Sequence, residues 1–216
     1  MAWTLAPGVG FCIAGEELIF LDLRADRYLA LRGDQRAAFE RLRARAPNDS
    51  DAMTGLVATG LFVRSDEENQ LNPVDIAVPT ADLGKRRRGS PPMRMAASAA
   101  RYLYWARRAQ APDRLAATVA NLSRQKRAEA GRADADAIAE MAADYALART
   151  LIPIAPRCLI DSLALFRLLL RRNLAPTMVF GVRPAPFAAH CWLQSSERVL
   201  TGSVDDAHNF TPIFML

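Results

Sequence analysis

Polar and apolar positions change rhythm several times along the chain. Near the N-terminus, EELIFLDLRADRYLALRGD holds two crowded apolar runs, Leu18–Arg24 and Tyr28–Leu31, parted only by Ala25-Asp26. Aliphatic and aromatic residues at this density, with a short polar break, predict a β-hairpin. Asp34 is placed to cap a helix over QRAAFERLRARA, where Ala38, Leu42 and Ala46 keep a four-residue apolar spacing. Asn48, Ser50 or Asp51 opens a second helix, AMTGLVATG, that Gly60 ends. LFVR follows as a short strand. Few strands and short helices fit a winged-helix-like module over residues 1–65.

The rhythm then disappears. Residues 66–93, with DEENQLNPVDIAVPTADLGKRRRGSPP at their centre, are polar, Pro- and Gly-bearing and without periodicity, which predicts a linker. Its basic run, Lys85 to Arg88, reads as a solvated stretch. From Arg94 the apolar spacing becomes helical. MRMAASAARYLYWARRAQA and PDRLAATVANLSRQKRAEA each read as one amphipathic helix, the second with Pro112 in its first turn. ADADAIAEMAADYALARTL is a third, acidic early and basic late, as the helix dipole favours. Tyr102, Tyr104, Trp105 and Tyr145 are expected to pack in this helical layer.

A last change of texture comes at Cys158, which opens a leucine-rich helix running to about Arg172, where NLAP breaks it. TMVFGV and AHCWLQ read as strands joined by RPAPF, SSER as a turn before RVL, and FTPIFML as a final strand. Residues 94–216 thus predict helices followed by an antiparallel sheet, and the whole chain an α+β fold.

Composition narrows the function. The chain has 216 residues, 51% of them hydrophobic, and a net charge of +5. The positive charge is spread over helix faces and the linker, without the aromatic-studded groove that single-stranded nucleic acid needs. Three widely spaced cysteines, Cys12, Cys158 and Cys191, contain no CxxC, which argues for a reducing, cytoplasmic setting over a disulfide scaffold. No stretch has the signature of a signal peptide or a membrane span.

The chemistry lies at Cys158. A cysteine in the first turn of a helix sits at the positive end of the dipole beside unpaired backbone N–H groups, which favour the thiolate and can receive an oxyanion. Arg157 adds a neighbouring positive charge. There are two histidines, His190 and His208. His190 falls in a strand after the cysteine helix, with Trp192 on its face and Cys191 on the other. Thiol, imidazole and an orienting group are the parts of nucleophilic acyl chemistry. Each residue alone is more often a packing residue; the pair in this order is what points to catalysis. Zinc held by Cys158, His190, Cys191 and an Asp would lack the close ligand spacing of metal sites.

CLIDSLALFRLLLRR, VFGVRPAPFAAHCWLQ and, more loosely, FTPIFML resemble the transglutaminase-like (papain-like) thiol proteases that mature lasso peptides. The combination Cys-x-x-x-S-L-A-L with P-F-x-A-H-x-W is the specific part. The N-terminal module resembles the winged-helix recognition domains of peptide-modifying pathways, here fused to the protease. The resemblance implies a cysteine peptidase that removes the leader of a ribosomal precursor, with Cys158 as nucleophile and His190 as general base. It implies two partners, the lasso precursor peptide and an asparagine-synthetase-like cyclase that closes the ring. ATP would be used by that cyclase; no GxxxxGK[ST] occurs in this chain, and no cofactor is expected in it. The leader would add as a strand along Tyr28, Leu29, Ala30 and Leu31.

One departure stands out. The family's aspartate follows an apolar pair on the next strand; that pair is Val199-Leu200 here, and Thr201-Gly202 stand where Asn-Asp is expected. Losing the Asp of a serine triad costs about 10⁴-fold. Three readings stay open: Asp205 is brought in by a shifted loop, another group holds His190, or the enzyme is a slow Cys-His dyad. Two rival functions follow, a leader-binding scaffold that never cuts and acyl transfer to an amine.

Overall fold

The computed structural model of the protein describes residues 2–48, 50–66, 71–84, 93–128 and 134–216. The expected hairpin forms: β3 (Glu17–Asp22) and β4 (Arg27–Leu31) pair antiparallel, with Asp26 at φ 47 in the turn. Asp26 is a residue type that accepts the left-handed region at low cost. The apolar N-terminus supplies β1 (Ala2–Leu5) and β2 (Val9–Ala14). β2 joins β3 to make a three-stranded sheet ordered β2-β3-β4, and β1 pairs with β5 (Phe62–Ser65). The intervening helices are α1 (Gly33–Arg43) and α2 (Ser50–Val57). Asp34 is not the cap of α1: the chain leaves β4 straight into the helix through Gly33 (φ 51), so Arg32 takes the cap position and Asp34 lies in the first turn.

The helical layer is α3 (Met93–Ala109), α4 (Pro112–Ala128) and α5 (Ala135–Arg149). Asp134 caps α5 by accepting the Ala137 N–H at 3.0 Å. Tyr145 is buried and Tyr102 and Trp105 half-buried, as expected. Tyr104 instead is 55% exposed and lies under the Arg108 guanidinium, 4.1 Å from its ring centre. The cysteine helix α6 (Cys158–Leu170) follows. Then come β7 (Thr177–Arg183), β8 (Ala188–Gln194), β9 (Arg198–Val199), the short α7 (Val204–His208) and β10 (Thr211–Met215).

The stretch expected as linker is partly built into the fold. Ala81–Asp82 forms β6, which pairs in parallel with β9 at the edge of a five-stranded sheet ordered β10-β7-β8-β9-β6. Leu71 is buried in the N-terminal core, and Ile76 and Val78 pack on Trp192 and Val199. These scattered apolar residues have no period of their own because each meets a different partner surface. The run Lys85 to Arg88 lies outside the described residues.

The β2-β3 sheet is buried on both faces, and its alternation divides two cores. Phe11, Leu18 and Phe20 pack with Phe39 and Phe62 against the N-terminal helices. Cys12, Ala14, Ile19 and Leu21 face the other way and join the core formed by α3, α5, α6 and the C-terminal sheet. The continuous apolar runs of β2 and β3 follow from this double burial. Close approach of the halves needs Gly10: a Cβ there would collide with the Ile213 carbonyl oxygen and lie 3.0 Å from the Phe214 ring.

Candidate active site

Cys158 is the first residue of α6 and is exposed. The N-cap, Arg157, contributes no side-chain bond, so no side-chain oxygen caps the N–H groups of the first turn. The helix start is instead held from behind. Asp161 accepts the Arg157 N–H at 2.9 Å, and its other oxygen accepts from Arg149, the last residue of α5. Arg149 also donates to the carbonyls of Ile152 (3.1 Å) and Ile154 (2.7 Å). One guanidinium thus ties the connection between α5 and α6 to the first turn that carries the thiol.

One turn on, Ser162 shares the Cys158 face of the helix. Its hydroxyl donates to the Cys191 carbonyl at 3.3 Å and shares a 2.9 Å hydrogen bond with the Thr201 hydroxyl, which accepts the Leu193 N–H at 2.8 Å. The helix bearing the nucleophile is therefore fastened to β8 at the residue next to His190, and to the residue before Gly202. No hydrogen bond joins the Cys158 thiol to His190; in unliganded enzymes such bonds are often long.

His190 is set by packing. Its ring stacks on Trp192 at 5.9 Å and 17°, and meets Phe210 at 5.2 Å. Trp192 is locked in turn by donating its indole N–H to Gln194 at 2.8 Å. Opposite His190 on β7 stands Gly181, where a Cβ would come within 2.8 Å of Trp192 and 2.9 Å of Phe210. Glycine there is what lets the two aromatics close on the imidazole. Burial pushes the His190 pKa below its ordinary value, against a smaller upward pull from the Asp206 carboxylate. The shift favours the neutral imidazole, the form a base requires.

Of the two acids that follow Gly202, one carries its charge toward His190. Asp205 is exposed, and its contact here is a backbone carbonyl accepting from Asn209 at 2.8 Å. The carboxylate whose charge reaches His190 is the neighbouring Asp206, which accepts a 2.7 Å bond from Ser203 in the first turn of α7. In the sequence Asp205 and Asp206 are the two nearest acids, and the short α7 that orients them leaves no mark in the apolar spacing. Gly202, at φ 81, lies against the imidazole: a Cβ built there sits 3.4 Å from His190 Nε2 with only that ring within 4 Å. Nε2 is buried and makes no hydrogen bond. The place where the resemblance expects a carboxylate is thus open and faces the histidine nitrogen. His208 is elsewhere, its Nδ1 3.0 Å from the Val204 carbonyl on α7.

Cys191 is fully buried on the opposite face of β8. Burial raises its pKa well above the usual thiol value; the charge of Cys158 adds to this, while the Ser162 bond opposes it. Tyr28, Leu29 and Ala30 are half-buried and Leu31 buried on β4, the free edge of the three-stranded sheet. Burial raises the Tyr28 pKa, helped by the charges of Cys191, Cys158 and Asp26. Among the described residues no group of three or more His, Cys, Asp or Glu side chains is placed to hold a metal ion. No described helix is long and apolar enough to cross a membrane.

No curated protein and no solved structure matches the chain. The family model of the transglutaminase-like superfamily does match, over residues 99–215, which is more than half the chain and takes in Cys158, His190 and Gly202. Its members are typically enzymes of the cysteine-protease kind. By fold, by a thiol opening a helix and by that match, the chain belongs to the transglutaminase-like superfamily.

Proposed function

We propose that the protein is a cysteine peptidase that removes the leader of a ribosomally made lasso-peptide precursor. The observation that carries this is Cys158, exposed at the start of α6 and fastened through Ser162 to the strand of His190. His190 takes the thiol proton, and the sulfur attacks the scissile carbonyl carbon. The resulting oxyanion is received by the uncapped N–H groups of the first turn of α6. The tetrahedral adduct expels the amine of the core's first residue, which takes the proton back from His190, leaving the leader as a thioester. Water, deprotonated by His190, then hydrolyses the thioester and restores the thiol.

In this reading residues 1–65 are a winged-helix-like recognition module and β4 is the edge to which the leader adds as a strand. The freed amine passes to an asparagine-synthetase-like cyclase, which spends the ATP and closes the ring. Cys158→Ala is expected to abolish cleavage of the precursor, followed by mass spectrometry, while leaving its affinity unchanged; cleavage by this variant sinks the proposal. A second reading, a scaffold that binds leader and delivers it to the cyclase uncut, is favoured by the unpartnered Nε2 of His190 and by Gly202 beside it. Unchanged affinity with intact precursor after long incubation with the cyclase would establish it.

A further inference from the structure

β4 does more than offer a free edge. Facing it is the turn between β7 and β8, and together they enclose a groove lined by Ile19, Tyr28, Ala30, Pro184 and Phe187. The Tyr28 and Phe187 rings meet edge to face, 5.4 Å apart, across the two halves of the chain. Phe187 is 55% exposed, a large apolar side chain presented at the groove mouth. It stands three residues before His190, about 10 Å along an extended strand. One wall of the groove thus lies within three residues of His190.

Its charges are uneven. At the rim Arg32 is paired with Glu17 at 3.0 Å, and Arg27 with Asp22 at 3.6 Å. Asp26, at the Tyr28 end, makes no ion pair among the described residues. An extended peptide on β4 thus meets an apolar wall formed by both halves and, at the Tyr28 end, a carboxylate that makes no ion pair among the described residues.

Resting on the peptidase reading, we propose that this groove is the subsite for the residues adjoining the scissile bond: an apolar side chain packs against the Tyr28–Phe187 pair, and a basic side chain close to it in sequence faces Asp26. The N-terminal sheet then selects the bond to be cut, in addition to holding the leader. The strand addition supplies register, and the aromatic pair supplies discrimination between side chains.

The test uses a positional-scanning library of fluorescent octapeptides on the full-length Cys158→Ala protein, so that binding is read without turnover. The expected result is selection of an apolar residue at one position and Lys or Arg within two residues of it. Phe187→Ala should weaken the apolar preference by about tenfold. Asp26→Asn, which tolerates the left-handed backbone, should abolish the basic preference and leave the apolar one. Both side chains are exposed, so circular dichroism and melting should stay unchanged. Selected peptides are then given to the Cys158 protein, which should cut them within two residues of the apolar position. Preferences that neither substitution moves, or cutting far from that position, overturn the subsite alone. Peptides that bind through Phe187 and Asp26 yet are never cut overturn the peptidase reading, and with it the groove's place in cleavage.

Discussion

At the scale of the residue, His190 decides how the site behaves. Its pKa is lowered by burial between Trp192 and Phe210, and Asp206 offsets only part of that. A base must be neutral, so activity is lost as pH falls through the folded-state pKa. The acid limb of kcat/KM is expected below the ordinary histidine value of about 6.5. Removing the Asp206 charge removes an upward pull, so Asp206→Asn should move that limb lower still. Gly202→Asp acts in the other direction. It puts a carboxylate beside Nε2, raises the His190 pKa, moves the limb upward and speeds iodoacetamide labelling of Cys158 at pH 6–7. Its left-handed backbone costs about 1–2 kcal/mol of stability. A slower labelling rate in Gly202→Asp would show that the open place is not where orientation is lost. Cys158 and His190 stood out as candidates because the motif around each is local. The places of Asp206, Phe210 and Gly181 did not, since a short helix and a facing strand bring these distant residues onto one ring.

At the scale of the element, α6 depends on how its first turn is fixed. Its leucine-rich body was readable, and so was its start at Cys158. The device that holds the start was hidden, because Arg149 and Asp161 belong to different helices and nothing in their spacing pairs them. Their pair is only 13% and 17% exposed. Removing one partner strands the other in a poorly hydrated site, so Arg149→Leu is expected to destabilise the protein by about 3 kcal/mol, visible as a lower midpoint in urea. Because the same guanidinium fixes the approach to Cys158, kcat should fall more than KM rises under conditions where the variant is fully folded. On β7, Gly181→Ala forces Trp192 and Phe210 apart. It should reduce kcat/KM by at least tenfold if packing alone orients His190, with the near-ultraviolet dichroism of Trp192 altered in parallel.

At the scale of the whole molecule, the reading of two modules on a linker understates the contact between them. The β-hairpin, the helices and the late sheet were each visible in the spacing of apolar residues. That they share a core was not, because periodicity reports that a face is buried and says nothing about what buries it. β1 and β2 went unread for a related reason: Gly8, Gly10 and Pro7 break their alternation where the chain turns and where it passes close to β10. Residues 94–216 expressed alone would expose the face of the C-terminal core that Cys12, Ile19 and Leu21 cover. That fragment is expected to aggregate or bind ANS, whereas the full chain should melt in one transition. Gly10→Val, which drives a side chain into the Ile213 carbonyl, should broaden or split that transition in calorimetry.

The two-sided sheet carries a last consequence. Along β2 and β3 successive side chains report to different halves: Phe11, Leu18 and Phe20 to one, Cys12, Ile19 and Leu21 to the other. A saturation scan of these strands should therefore sort by parity. On the peptidase reading proposed above, one set of positions would chiefly change which peptides are captured, the alternate set how fast a captured peptide is processed. An exchange of the N-terminal half in the laboratory would have to carry the second set unaltered, so the seam, and not the chain connection, is the true boundary for exchanging parts.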